Sequence, residues 1–81
     1  MVERVREVLQ RSFPSIELDL EVMTSGRITG NAVWSGFADF DQVDRQTMLR
    51  DALRKELGAD ATQVSVLLTY TPRELYAMKA A

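Results

Sequence analysis

The sequence predicts a single α+β domain in the order α-β-β-α-β-α, with a mixed three-stranded sheet and helices packed on one face. Three observations predict it. The hydrophobic period changes from helical to two between Phe13 and Ile16. A Thr24-Ser25-Gly26-Arg27 turn then separates two strand-like runs. Finally, the strand–helix–strand stretch from Ile28 to Tyr70 needs a right-handed crossover, which makes its two strands parallel, while the hairpin pair is antiparallel. With 81 residues the chain has room for one such core, spanning residues 1–81. A domain of this size buries only about 60% of its unfolded surface.

Residues 2 to 12 read as an amphipathic helix. Val2, Val5, Val8, Leu9 and Phe13 recur at helical spacing, with charged residues between them. Pro14 forces Phe13 into an extended conformation and stops the helix. From Ile16 to Val22 apolar residues alternate with Glu17, Asp19 and Glu21, the pattern of a strand with one buried and one wet face. The second strand runs from Ile28 to Trp34, with Ile28, Gly30, Ala32 and Trp34 inward; Gly30 is a place for a helix to approach closely.

The longest helix comes next. Asp39 or Asp41 caps it, Met48, Leu49, Ala52, Leu53 and Leu57 form its apolar stripe, and Gly58 ends it. Residues 37 to 44 leave room for a separate short helical turn ahead of it. Thr62 to Tyr70 is β-branched and apolar, the composition of a well-buried third strand. Thr71-Pro72-Arg73-Glu74 then has the form of a helix start, with Thr as N-cap, Pro at the first helical position and Glu reaching back.

Composition narrows the chemistry. Twelve acidic and ten basic side chains give a net charge of −2, which argues against strong non-specific attraction to nucleic acid or anionic membrane. There is no cysteine and no histidine. Disulfide frameworks, thiol nucleophiles, thiolate or imidazole metal sites and imidazole general bases are therefore excluded. A binding protein is expected rather than an enzyme, with no cofactor and no metal. No stretch approaches the roughly 18 apolar residues of a membrane span, and the opening Met-Val-Glu-Arg-Val-Arg-Glu lacks the apolar core of a signal peptide. The cytoplasm is the expected location. Glu17, Asp19 and Glu21 are too widely spaced along a strand to converge on one cation; a solvated face that discourages sheet-to-sheet association is the expected role. Trp34 and Phe37 are expected in the core, and Phe40 is the aromatic left for a partner contact.

The residues from Phe37 onward carry a family resemblance. Phe37-Ala-Asp-Phe-Asp-Gln-Val43-Asp-Arg45-Gln46 leads into Met48-Leu49-Arg-Asp-Ala52-Leu53-Arg-Lys-Glu56-Leu57, and the third strand ends in Thr71-Pro72-Arg73-Glu74. This resembles the BolA-like family, whose fold is similar to a type II KH domain. The resemblance implies a small non-enzymatic regulator, with stress response among its roles. It implies a monothiol glutaredoxin as protein partner for [2Fe-2S] cluster work, or DNA binding in some members. The family's cluster-ligating histidine falls at Gln63, and its variable ligand in the loop around Thr24 to Arg27, where an amide and hydroxyls are poor iron ligands. An adaptor that binds its partner without ligating a cluster is the leading expectation, as a monomer or weak dimer. The alternative is a KH-like nucleic-acid-binding transcriptional regulator. The candidate contact residues are Arg45, Arg50, Arg54 and Lys55 on the long helix, together with Gln63 and Phe40. Against that stands the plainer reading of a solvated helix face with a weak Asp51–Lys55 pair. The chain also lacks the Gly-x-x-Gly loop with which KH domains clamp nucleic acid.

Overall fold

A computed structural model describes residues 1–80. Its elements are α1 (Val2–Ser12), β1 (Glu17–Val22), β2 (Ile28–Val33), a 3₁₀ segment (Ser35–Asp39), α2 (Gln42–Leu57), a second 3₁₀ segment (Gly58–Gln63), β3 (Val64–Tyr70) and α3 (Pro72–Ala80). The expected order and sheet are both present. β2 is central, antiparallel to β1 and parallel to β3, so β1 and β3 are the edges.

The core forms where the two amphipathic helices meet the inner face of the sheet. α1 contributes Val5, Val8 and Leu9, α2 contributes Leu49, Leu53 and Leu57, and the strands contribute Ile28, Ala32 and Leu67. Phe13, Trp34 and Phe37 pack edge-on at one end, with Phe37 5.2 Å from Trp34 and Trp34 5.2 Å from Phe13. The Trp34 indole N–H donates to the Pro14 carbonyl at 2.9 Å, tying the turn after α1 to the end of β2. α3 contributes no buried residue. It is held mainly by its N-terminus.

The structure corrects several details of the sequence reading. β3 begins at Val64 rather than Thr62, because Gly58 takes φ +58° and the chain coils through a 3₁₀ segment before extending. β3 is not well buried either. Leu67 and Thr69 face the helices, whereas Val66 and Leu68 are 53% and 50% exposed on the other side. A run of apolar residues does not reveal which face of a strand is covered. β2 stops at Val33, leaving the half-buried Trp34 beyond it. Of the two expected capping residues, Asp41 is the one that caps α2, accepting from the Asp44 amide at 2.9 Å. The short helical turn ahead of α2 covers Ser35–Asp39 rather than residues 37 to 44. Gly30 does admit a close neighbour, but that neighbour is β1 and not a helix. A Cβ there would collide with the backbone carbonyl of Asp19, and φ is +155°, beside the irregularity in β2–β3 pairing.

Candidate functional site: the groove between α2 and β3

The first candidate residue is misplaced by sequence reasoning. Arg45 does not lie on an exposed basic face; it is only 4% exposed. It sits in the first turns of α2, and its guanidinium reaches across the end of the domain. Nε donates to the carbonyls of Phe37 at 3.1 Å and Phe40 at 2.9 Å. The two terminal nitrogens meet both oxygens of Glu74 at 2.8 and 3.0 Å, and one also approaches the Thr69 carbonyl at 3.4 Å. A single side chain thus joins the 3₁₀ segment, the end of β3 and the start of α3. Glu74 reciprocates as the third residue of the helix. It accepts from the Thr71 amide at 2.9 Å, while its own amide donates to the Thr71 hydroxyl at 3.1 Å. The bond from Arg45, with help from the Thr71 N–H, holds the Glu74 carboxyl down to about 2. Glu74 in turn raises Arg45 above its ordinary value against the opposing effect of burial. Such a planar, bidentate arrangement suits Arg and not Lys.

A row of polar side chains four residues apart continues along α2 beside the free edge of β3. Gln42 donates to the Thr69 carbonyl at 3.2 Å, and Gln46 donates to the Leu67 carbonyl at 2.7 Å. The helix climbs about 6 Å in four residues and the strand about 6.7 Å in two, so the two keep step. Gln42 and Gln46 escaped the sequence reading, although their spacing from Arg50 and Arg54 is the signal that groups them. After Gln46 the row changes character. Arg50 and Arg54 follow, and among the described residues neither side chain makes a hydrogen bond or an ion pair. Here α2 and β3 diverge around a cleft of about 430 Å³ with Leu49, Leu53, Val64 and Leu67 in its walls and Arg50 and Arg54 at its margin.

The other candidates divide around this cleft. Gln63 is exposed and lies between Thr62 and Val64, two of its lining residues. Lys55 is exposed but lines none of it; with Arg54 it stands in the last turn of α2, where a cation complements the helix dipole. Phe40 is exposed at the opposite end of the helix, beside the buried Arg45. From Arg45 to Arg54 is roughly 14 Å along the axis, so the six candidates do not form one surface.

No family model and no curated protein matches the chain in sequence. Solved structures do. BolA1 from Arabidopsis thaliana superposes with a TM-score of 0.70 at 26% identity, over 89% of this chain and 92% of that one. This chain has a BolA-like fold. The BolA domain of SufE1 from Arabidopsis thaliana gives a TM-score of 0.73 at 23% identity, again over 89% of this chain and 92% of that one. A Bol-like protein from Babesia bovis gives 0.59 at 19%, over 95% and 91% of the respective chains. In this BolA-like frame Gln63 stands immediately before β3 and opens toward solvent. The donor set around it does not suit an iron–sulfur cluster. Gln63 offers an amide, and the β1–β2 loop offers the hydroxyls of Thr24 and Ser25, with no thiolate or imidazole anywhere in the sequence.

Proposed function

We propose that this chain is a non-catalytic BolA-like adaptor or regulator that binds a protein partner along the α2–β3 groove, without ligating a cluster itself. The observation that carries the reading is the break in the α2 row. Where Gln42 and Gln46 occupy the strand edge the surface is self-satisfied, and where Arg50 and Arg54 follow it is open. An apolar floor with unpaired guanidiniums at its rim is the anatomy of a binding surface, and Arg is enriched in such surfaces. That a similar BolA domain belongs to a SufE1 protein supports a role beside other proteins. A monothiol glutaredoxin is the first candidate partner, through the family resemblance. The same two arginines also favour a second reading, in which the groove takes a nucleic-acid backbone and the chain acts as a KH-like regulator in the cytoplasm.

The readings separate in one titration series. Isothermal calorimetry with a cluster-loaded monothiol glutaredoxin is expected to give a complex that Arg50→Glu with Arg54→Glu weakens about tenfold or more, a loss of about 1.4 kcal/mol or more. The cluster absorption spectrum stays unchanged on mixing. No association removes the glutaredoxin, and a shifted cluster spectrum overturns docking without ligation. Binding of a mixed DNA and RNA pool that collapses steeply with salt, and vanishes in the same double variant, transfers the groove to the second reading.

A further inference from the structure

The opposite side of the sheet carries a second surface. β3 pairs in parallel with β2, and parallel strands are ordinarily covered on both faces; here α1 and α2 cover only one. The uncovered face is graded across its width. β1 presents Glu17, Asp19 and Glu21, all exposed and in no ion pair among the described residues. β2 presents the shorter Thr29 and Asn31, and β3 presents Val66 and Leu68. The register aligns these as rungs, Asp19 opposite Asn31 and Asn31 opposite Leu68. The face is therefore a trough with an acidic bank, a small polar floor and an apolar bank.

Its dimensions name the occupant. The banks are two strand spacings apart, roughly 10 Å, which is the width of an α-helix. The carboxylates repeat about every 7 Å along β1, and residues four apart on a helix repeat about every 6 Å. One end is bounded by α3, which leaves a depression of about 460 Å³ where Glu17, Asp19, Asn31 and Tyr70 face Met78 and Lys79. Lys79 is the one cation in its lining and makes no ion pair with the acidic bank among the described residues. We infer that this outer face is a second docking surface, which receives a basic amphipathic helix of a partner protein. The helix lies over β2 with Lys or Arg residues toward Glu17, Asp19 and Glu21 and apolar residues on Val66 and Leu68. Charge complementarity selects that occupant over a second copy of this chain, whose matching face is itself acidic and would be repelled.

The test uses the intact chain and three synthetic peptides: a Leu/Lys amphipathic helix, a scrambled peptide of the same composition, and the Leu/Glu counterpart. Backbone amide NMR is expected to show shifts at Asp19, Asn31 and Leu68 with the first peptide, and about tenfold weaker binding of the scrambled one. Asp19→Lys with Glu21→Lys reverses the preference, so that the Leu/Glu helix now binds. Leu68→Thr keeps the charge and the strand preference and weakens the Leu/Lys helix severalfold. Should the double variant fail to fold, Asp19→Asn alone is expected to weaken the Leu/Lys helix in the same direction. Shifts confined to the α2–β3 groove, equal binding of all three peptides, no binding, or self-association through this face would each overturn the inference.

Discussion

Two arginine regions on one helix have opposite fates. Arg45, near the N-terminus of α2, is buried and has a partner for each part of its guanidinium. Arg50 and Arg54, about one and a half and two and a half turns further on, are exposed and unpaired among the described residues. The helix dipole opposes a cation at the first position and favours one near the last. Location on the helix therefore does not explain burial; the neighbours do. Glu74 and three carbonyls converge on position 45 because the first 3₁₀ segment and β3 end there and α3 begins there. At positions 50 and 54 the second 3₁₀ segment lines a cleft with Gly58, Ala59, Ala61 and Thr62 and supplies the guanidiniums no hydrogen-bonding or charged partner among the described residues. The same residue type stabilises the fold where the chain supplies its partners, and is available to another molecule where the chain does not.

Breaking the buried region is expected to have the largest effect. Arg45→Ala leaves the Phe40 carbonyl without its donor, takes one of two donors from the Phe37 carbonyl, and leaves Glu74 without its counter-ion, a loss of about 3 kcal/mol. Arg45→Lys keeps the charge but cannot form the planar pair, and should lose about half of that. Urea denaturation of both variants measures the difference. A loss under about 1 kcal/mol for Arg45→Ala would put position 45 in the same class as an exposed surface pair.

The acid limb sharpens the same contrast. Arg45 and the Thr71 amide depress the Glu74 carboxyl to about 2 from an ordinary 4.5. The unfolded chain then takes up this proton at higher pH than the folded one. The stabilisation is therefore full above about pH 4.5 and disappears as pH falls toward 2. The Glu74 side chain is 44% exposed, so water screens the pair. The expected contribution is accordingly about 1 to 2 kcal/mol, below the full linkage value. Stability measured by urea at pH 7 and at pH 3 should fall less in Glu74→Gln than in the wild type. An unchanged acid slope would mean that the pair does not persist in solution.

How much of this was legible follows from what each residue's neighbours are. α1, α2, the hairpin and the capping box at Thr71–Glu74 depend on contacts a few residues apart, and periodicity or turn chemistry reveals them. The partner of Glu74 is 29 residues away, so the sequence showed the cap but not the charge pair. In the same way Arg45, Arg50 and Arg54 are equivalent as letters on a helix, and only β3 and the two 3₁₀ segments make them different. The outer bank of β3 was hidden for a related reason. Val66 and Leu68 look like core residues until the number of layers is known. The acidic row on β1 was readable as a wet strand face, but its apolar counterpart two strands away was not.

The smallest expected effect tests the open region by what it does not do. Arg50→Ala with Arg54→Ala removes two charges that have no ion-pair or hydrogen-bond partner among the described residues, and Ala is the best helix former. Stability should change by no more than about 0.5 kcal/mol, the range for exposed sites without structural contacts. Arg54 favours the helix dipole near the last turn, which pulls slightly toward loss, while the higher propensity of Ala pulls slightly toward gain. The two nearly cancel. If the double variant instead lost 2 kcal/mol, the guanidiniums would be doing in solution what Arg45 does at the other end of the helix, and the groove would be closed by its own side chains. A near-zero stability change together with weakened partner binding is the pattern that separates a recognition surface from a structural clasp.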